Sequence, residues 1–552
     1  MFDIYYTKNK NGRAHSSLED ITKIQNYIPL YKKFFSLTDK NYKNINLNHK
    51  YHLDTFLEKK NENLHVCYIK SDNQKQKVST FIKFSPLMDP VKYMSGKYKK
   101  NNIDILPSLE NKTPCYSKLK DTNNSAYVDS FFSFLSSQTL HTHKFYHSMD
   151  FYGSFLAIKG NFQYNIVDDL EYLYQSDFFH KNKNKLFKIE SMYDELMLAF
   201  NTRNYKKRLT IADEEVQSIS SIHMSNELFD DVFIEKNSIL DSSKNLIFEM
   251  DISHNSPKCY PKSSTKSSST CSSRSSHTSD GEGDSETSSI DNSSTGSWTT
   301  ASDEVIQATL FQFPVQIICL EALDSTLDSV IGDLNTEEWR SCLFQVIMTL
   351  CVYRKLFQFT HNDLHTNNIM FKKTEKKFLS YRFNNKYYKV PTYGKIYKII
   401  DFGRSIYRFK NQLMCSDSFH KKGDAATQYN FEPYFNKNKP RLEPNASFDL
   451  CRLGCALYDF FFSDETKNIV DPIAKLVEKW CIDDKGRNIL YKTNGEERYP
   501  EFKLYKMIAR TVHHCSAEKE ILNPLFNKFI VGRKKIKKGK VFNVDTLPSY
   551  IN

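Results

Sequence analysis

The second half of the chain opens with a long stretch of helical spacing, followed by two short apolar runs typical of strands. Residues 337–359 place apolar side chains three and four positions apart, which predicts a helix with one buried face. The runs 369–371 and 395–400 are short and rich in apolar and aromatic residues, as buried strands are. Between them, the aromatic runs 378–381 and 387–390 predict a hairpin.

The first third of the chain combines strand patterns with two helical segments. Alternating apolar and polar residues predict two strands joined by a polar turn, and then a further pair of strands. These strand segments are 64–69, 78–84 and 145–158. Helical spacing marks residues 17–35, where Ser17 and Asp20 are placed as a capping box, and residues 126–140.

A long insertion, residues 168–312, separates these strands from a further apolar strand with an acidic end at 315–324. The first part of the insertion has helical spacing at 191–200, which favours partial folding. Its second part, 256–302, consists mainly of Ser and Thr. Such a segment buries too little apolar surface to offset the entropy of ordering the chain, so we predict that it is disordered.

The composition provides enough apolar residues for a sizeable core and an excess of positive charge. Of the 552 residues, 39% are hydrophobic, and the formal net charge of +12 suits acidic partners such as nucleotides, phosphopeptides or nucleic acid without identifying one of them. The twelve cysteines include no Cys-x-x-Cys pair, so we expect free thiols, with Cys451 and Cys455 in the core rather than on a metal. Neither a signal peptide nor an apolar run of about 18 residues is evident, which predicts a soluble intracellular protein.

Three polar residues beside the predicted strands offer the chemistry of phosphoryl transfer. Asp363 ends the sequence His361-Asn362-Asp363, Asn368 follows five residues later, and Asp401 comes directly after a predicted strand. Phosphoryl transfer depends on positioning and charge neutralisation, because one carboxylate orients the acceptor hydroxyl while oxygen ligands hold magnesium beside the phosphates. Carboxylate and amide oxygens are the hard ligands that Mg²⁺ prefers.

This arrangement resembles the catalytic loop and the Asp-Phe-Gly magnesium loop of the protein kinase superfamily. The resemblance implies an α+β, bilobal fold with a small β-rich N-terminal lobe that carries the long, partly disordered insertion, and a larger helical C-terminal lobe. It implies that His361 and Asp363 belong to the catalytic loop, where Asp363 orients the acceptor and accepts its proton. It further implies that Asn368 and Asp401 hold Mg²⁺, and that Asp449 braces the backbone of the catalytic loop from a later helix.

The same resemblance assigns ATP contacts in the first part of the chain. Lys83 is the candidate for pairing with the α- and β-phosphates, while Glu321 and Leu323 lie where the backbone of the hinge meets adenine. A glycine-rich loop is missing, because the first 95 residues contain a single glycine, and the hairpin at 58–63 would cover ATP through its backbone amides instead. The following helix contains no Glu, and its only acid, Asp129, lies about two turns early. The partner of Lys83 is therefore left unassigned, and we expect replacement of Asp129 to matter much less than replacement of Lys83.

Two segments, 85–93 and 499–507, resemble the serine/threonine-protein kinases of large nucleocytoplasmic DNA viruses, and the second opens a predicted late helix. That resemblance implies protein substrates and ATP as partners. It also implies a location in the host cytoplasm, in the nucleus or in a virion. We expect no membrane partner and no nucleic-acid partner, apart from contact by the basic run between Arg533 and Lys540.

The kinase resemblance divides the chain into seven predicted regions. It covers roughly residues 50 to 515 with interruptions. The regions are an N-terminal helical extension (1–50), the first part of the N-terminal lobe (51–167), a partly folded insertion (168–255), a disordered Ser/Thr-rich acidic segment (256–303), the last strand of that lobe with the hinge (304–324), the C-terminal lobe (325–530) and a basic tail (531–552).

Three functions remain open on this evidence: a serine/threonine-protein kinase, a small-molecule kinase of the aminoglycoside or choline type, and a catalytically weak pseudokinase scaffold. His365 stands where most serine/threonine kinases have Lys, which favours the second, although haspin-like protein kinases carry the same Asp-Leu-His. The missing glycines and Glu favour the third, whereas the intact Asp363, Asn368 and Asp401 oppose it. Asn362 replaces the usual Arg, which implies activity without a docked phosphate.

Residues 256–302 acquire a further prediction from the kinase resemblance. Several of their serines stand beside acids, as at Ser279-Asp280 and Ser285-Glu286. We predict that the segment is phosphorylated, by this chain or by another kinase, with an inert linker as the alternative.

Overall fold

The computed structural model describes residues 1–8, 18–71, 74–98, 103–109, 115–189, 306–462, 471–536 and 541–552. All of them belong to one compact unit of the chain. The predicted helix at 191–200 and the Ser-rich segment at 256–302 lie outside the described residues.

A seven-stranded antiparallel sheet dominates the described part of the first 321 residues. Its strands are β2 (Ile21–Gln25), β4 (His52–Lys59), β5 (Leu64–Ser71), β6 (Gln74–Pro86), β7 (Phe151–Asn165), β8 (Phe187–Ile189) and β9 (Gln307–Glu321); β1 (Tyr6–Lys8) and β3 (Ile45–Leu47) form a separate pair. The order in the sheet is β2-β7-β9-β6-β5-β4, and β8 pairs with the first residues of β9. The predicted strand pair 64–69 and 78–84 is confirmed, as is the predicted strand at 315–324.

One long helix packs on this sheet. α3 (Ser125–His143) confirms the helix predicted at 126–140, and it contacts β7 and β9. It is capped by Asn124, whose side chain accepts a hydrogen bond from the backbone N–H of Ala126 at 3.1 Å. The shorter helices nearby are α1 (Pro90–Met94), α2 (Ser117–Lys120), α4 (Leu170–Tyr174) and α5 (Asp177–Asn182).

Two predictions for this half of the chain were wrong. The helix predicted over 17–35, on which the N-terminal helical extension (1–50) rested, is replaced by the strand β2 and a short 3₁₀ helix at Pro29–Lys33. β2 has an edge of β7 to pair with, and Pro29 lacks the N–H that a continuing α-helix would need. The pair of strands predicted at 145–158 is one strand, β7, because Phe145 to Ser148 form a turn before it.

The second half of the described chain is built around a buried helix, as predicted at 337–359. This helix, α6 (Thr336–Phe357), begins with a capping box in which the side chains of Asn335 and Glu338 each bind the other residue's backbone N–H. The later helices are α7 (Phe448–Phe462), α8 (Pro472–Trp480), α9 (Phe502–Thr511) and α10 (Ala517–Glu520). α9 confirms the predicted late helix, and Cys451 and Cys455 are buried in α7.

Short strands beside α6 position the polar residues singled out in the sequence. The hairpin predicted between the two apolar runs is confirmed. The strands are β10 (Ser325–Thr326), β11 (Ile369–Lys373), β12 (Phe378–Phe383), β13 (Lys386–Pro391), β14 (Lys395–Ile399), β15 (Ile406–Phe409), β16 (Gln412–Cys415) and β17 (Phe542–Asn543). β11 and β14 are antiparallel, with Ile369 opposite Ile399. The residues before β11 therefore lie beside those after β14.

Within the described ranges, no helix is both long and apolar enough to cross a bilayer. The same residues contain no group of three or more His, Cys, Asp or Glu side chains arranged to hold a metal ion.

Candidate active site

The loop from His361 to Asp363 is held by hydrogen bonds from two sides. Asp449, at the start of α7, accepts the backbone N–H of His361 at 2.9 Å and that of Asn362 at 2.8 Å. The ring of His361 bonds the carbonyl of Ile400 through Nε2 at 2.9 Å, and its Nδ1 accepts the N–H of Asp363 at 3.3 Å. Because Asn362 adopts a φ of 64°, these contacts also offset the strain of a left-handed backbone.

Asn368 and Asp401 present oxygens of the kind that bind magnesium. The amide nitrogen of Asn368 donates to the backbone carbonyl of Asp363 at 2.9 Å and contacts His365 Nε2 at 3.1 Å, which fixes the orientation of the amide. One oxygen of Asp401, Oδ1, lies 2.9 Å from Lys83 Nζ. The remaining oxygens, Asn368 Oδ1 and Asp401 Oδ2, accept no hydrogen bond from the described residues. This donor set fits Mg²⁺.

Lys83 has a partner that the sequence analysis left unassigned. Its Nζ lies 2.7 Å from Asp129 Oδ2 on α3 as well as 2.9 Å from Asp401 Oδ1. The other oxygen of Asp129 accepts the backbone N–H of Phe402 at 3.0 Å. Asp129 lies early in α3, but the inference that this makes it a poor partner of Lys83 was wrong, because α3 packs close enough for this acid to reach both Lys83 and the loop after β14.

Lys83, Asp129 and Asp401 shift one another's pKa values. Burial opposes the charged form of each member, yet the two carboxylates raise the pKa of Lys83 well above its ordinary value. Asp401 has a pKa well below the usual range, since the lysine outweighs the effect of its burial. Asp129 has a side chain only 5% exposed, and burial raises the pKa of its carboxyl. Asp401 is thus the more acidic carboxyl of the two.

Asp363 lies among cationic and phenolic groups. Its Oδ1 accepts a hydrogen bond from the hydroxyl of Tyr505 at 2.8 Å, and its Oδ2 is 4.0 Å from an Nη1 of Arg404. Burial raises the pKa of Asp363, but Arg404 and the neighbouring cations outweigh burial and lower it. Arg404 also pairs with Asp424, which gives the polar turn at 423–427 a structural role that the sequence did not reveal.

His365 supplies little positive charge at neutral pH. Burial lowers the pKa of its ring to about 4, and the nearby Asp363 only partly opposes this change. The position that holds Lys in most serine/threonine kinases is therefore occupied by a neutral ring in contact with the Asn368 amide.

One cleft of about 1450 Å³ is lined by half of the predicted site residues. Lys83, Asp363, Asn368 and Asp401 line it, together with the unexpected Asp129. Two other predicted residues, His361 and Asp449, are buried and do not line the cleft. They hold the backbone of the loop that carries Asp363.

The two hinge residues are not among the residues that line this cleft. The carboxylate of Glu321 pairs with Lys398 and accepts the backbone N–H of Asp150 at 2.9 Å. Its side chain therefore fastens the end of β9, and the backbone N–H of Glu321 donates to the carbonyl of Asp150 at 3.0 Å. The contact of Glu321 and Leu323 with adenine stays a prediction.

The hairpin at 58–63 differs from the predicted phosphate cover. Asn61 Oδ1 accepts the backbone N–H groups of Asn63 at 3.0 Å and Leu64 at 2.7 Å, so these two donors are already engaged within the turn. Glu62 is paired with Lys59 at 3.0 Å and with Lys159 at 2.7 Å. Side-chain contacts thus restrict the backbone of this turn, whereas glycine would allow it a wider range of conformations.

The segment after Asp401 is fastened to the helices of the first half. Asp417 pairs with Lys118 on α2 and accepts the backbone N–H of Ser125 at 3.0 Å, at the start of α3. Its own N–H donates to the carbonyl of Asn123 at 2.7 Å. Sequence patterns could not identify Asp417, because its partners lie about 300 residues away along the chain.

Comparisons with known proteins find sequence similarity over part of the chain. The sequence matches no protein-family model. It is similar to serine/threonine-protein kinase haspin of Mus musculus, at 32% identity over 131 residues, and of Bos taurus, at 36% over 101 residues. An uncharacterized protein of Caenorhabditis elegans, ZK177.2, is 28% identical over 80 residues.

These similarities are partial on both sides. They cover 23%, 17% and 14% of this chain, and 16%, 12% and 27% of the three relatives. The chain thus spans less than a third of the length of the curated relatives that it matches. The matches support a protein-kinase-like relationship. The resemblance to kinases of large DNA viruses stays a prediction.

Replacing Asp401 by Ala should abolish magnesium-dependent nucleotide binding, since it removes the only carboxylate of the candidate magnesium pair. Calorimetric titration of ATP with and without Mg²⁺ measures this effect. Unchanged affinity for the magnesium complex would argue against the assignment of Asp401.

Proposed function

We propose that the protein is an ATP-dependent serine/threonine-protein kinase that transfers the γ-phosphoryl group to protein hydroxyls. The observation that carries the proposal is the set Lys83, Asp129 and Asp401, joined by ion pairs in the same cleft as Asp363 and Asn368. A lysine, an acceptor-orienting acid and two magnesium ligands are the protein groups that phosphoryl transfer requires. The partial similarity to haspin serine/threonine kinases supports this class of reaction.

In the proposed reaction each residue acts chiefly by position and charge. Asn368 and Asp401 would hold Mg²⁺, which would neutralise charge on the phosphates. Lys83 supplies a cation for the phosphate oxygens and is kept in place by Asp129. Asp363 orients the acceptor hydroxyl and accepts its proton as transfer proceeds.

The fold supports the same proposal. We place the N-terminal lobe at 51–167 with 304–324, and the C-terminal lobe at 325–530, so that the cleft would lie between them. The disordered and phosphorylated state of 256–302 remains a prediction of the sequence.

The experiment that tests the proposed function compares two classes of acceptor. The purified chain is incubated with γ-labelled ATP and Mg²⁺, together with a panel of proteins or with aminoglycosides and choline. We expect labelled phosphoserine or phosphothreonine in the proteins. Labelling of the small alcohols alone would establish a small-molecule kinase, and nucleotide binding without transfer to either class would establish a pseudokinase.

Activity should not depend on phosphorylation of residues 401–443, which would be the activation segment of the proposed kinase. The side chain of Asn362 donates to the carbonyl of Arg404 at 3.1 Å and accepts the hydroxyl of Tyr429 at 2.8 Å. Asn362 thus holds this segment through neutral hydrogen bonds. An Arg at the same position would instead hold the segment by pairing with a phosphate on it. After phosphatase treatment, the initial rate should stay within about twofold of the untreated rate. A loss that is restored by rephosphorylation would contradict this account.

A further inference from the structure

Tyr505, on α9, connects the candidate catalytic acid to a buried arginine. Its hydroxyl lies 2.8 Å from Asp363 Oδ1 and 2.8 Å from Arg452 Nε on α7. Tyr505 is 2% exposed and Arg452 3% exposed, so water competes little for either contact. The two helices that carry these residues follow Asp363 by about 90 and 140 residues, and neither residue belongs to the loops identified from the sequence.

The donor and acceptor properties of Arg452, Tyr505 and Asp363 determine the direction of the hydrogen bonds between them. A guanidinium has donors only, so the Tyr505 oxygen accepts from Arg452 and its single proton is directed to Asp363. Burial raises the pKa of the Tyr505 phenol above its ordinary value, which keeps this proton in place. The result is a linear order of arginine, phenol and carboxylate.

The Tyr505 ring is also held on its faces. Phe502 stacks on it with ring centroids 5.2 Å apart, and the guanidinium carbons of Arg452 and Arg404 lie 5.2 Å and 5.7 Å from its centroid. Cations over an aromatic face are attracted by its quadrupole. The hydroxyl is therefore presented to Asp363 from a ring with little freedom to move.

We propose that Tyr505, held by Arg452, is a positioning residue that fixes the carboxylate of Asp363 for its contact with the acceptor hydroxyl. This inference rests on the proposed function. The backbone of Asp363 is held by His361 and Asn368. Its side chain is held at both oxygens, since Oδ2 lies 4.0 Å from Arg404 and Oδ1 accepts the hydroxyl of Tyr505. The bond from Tyr505 to Oδ1 selects one orientation of the carboxylate, and reacting groups must be oriented closely for transfer to be fast.

The test uses the full chain with Tyr505 replaced by Phe, which keeps the ring and removes the hydroxyl. We expect kcat to fall about 10- to 100-fold, as for loss of a hydrogen bond to a charged group, with KM for ATP unchanged. Tyr127→Phe is the matched control, because the buried Tyr127 hydroxyl donates to the carbonyl of Leu119 at 2.8 Å and neither residue lines the cleft. Its kcat should stay within twofold of the wild type.

A double-mutant cycle separates positioning from a general structural effect. In an Asp363→Asn background, Tyr505→Phe should lower the residual rate less than twofold, because the carboxylate that it positions is gone. An equal loss in both backgrounds, or a wild-type kcat in the single variant, would overturn the inference.

A second variant covers the case in which Tyr505→Phe does not fold, as judged by its thermal unfolding. Arg452→Lys keeps the charge but loses the planar donor, and it should lower kcat with KM for ATP unchanged. A wild-type kcat in that variant would overturn the inference. An inactive wild-type chain would overturn the proposed function together with the inference, whereas an active wild type with unaffected variants would overturn the inference alone.

Discussion

Replacing Asp363 by Asn should lower the rate of phosphoryl transfer roughly 10²- to 10⁴-fold, the usual contribution of a positioned acid–base group. The amide keeps the size of the side chain and still accepts the hydrogen bond from Tyr505, so the fold should persist. The affinity for ATP should also change little, because Lys83 and Asp401 are untouched. Steady-state transfer rates, nucleotide titration and thermal unfolding of the same preparation measure these three quantities.

The result for Asp363 is decisive in both directions. Near-full activity in Asp363→Asn would show that another group orients the acceptor. A parallel loss of nucleotide binding and folding would instead assign Asp363 a structural role. Asp483→Asn is a suitable control, because Asp483 is also a buried acid and pairs with the cation Arg487 at 2.7 Å. Neither Asp483 nor Arg487 lines the cleft.

Lys83→Met should lower the transfer rate about 10²- to 10³-fold, as expected for loss of one preorganised charge at the phosphates. Asp129→Asn should cost about 10- to 100-fold, since it weakens charge-assisted bonds both to Lys83 and to the N–H of Phe402. This second expectation reverses the sequence-based one, which gave Asp129 a minor role. The rates of both variants are compared with the wild type at saturating ATP.

The double variant Lys83→Met/Asp129→Asn checks that the two residues act as one unit. Its loss should be well below the product of the two single losses, because contacting residues are not additive. Fully multiplicative losses, or a wild-type rate in Asp129→Asn, would show that the observed ion pair has no part in catalysis.

The local parts of the site could be predicted from the sequence because each follows from neighbours along the chain. Asp363 and Asn368 are five residues apart in one loop, and Asp401 comes two residues after the end of the strand β14. The pairing of β11 with β14 then brings the two loops together without any further information. The hairpin β12–β13 followed in the same way from two aromatic runs.

The remaining parts depend on packing between distant segments. Whether Asp129 reaches Lys83 is decided by the distance between α3 and β6, which no periodicity in the sequence reports. Tyr505 and Asp417 acquire their partners only when α9 and the segment after Asp401 are in place. Residues 21–25 carried apolar spacing compatible with a helix, and the free edge of β7 made them a strand instead.

The central claim is that the cleft formed by these residues transfers phosphate to protein hydroxyls, and one measurement tests it most directly. Wild-type chain and Asp363→Asn are incubated in parallel with Mg²⁺, ATP and an array of proteins, and the products are mapped by mass spectrometry. The account predicts new phosphoserine and phosphothreonine sites with the wild type and nearly none with the variant. Equal phosphorylation by both preparations, or none by a wild type that binds the magnesium–ATP complex, would contradict it.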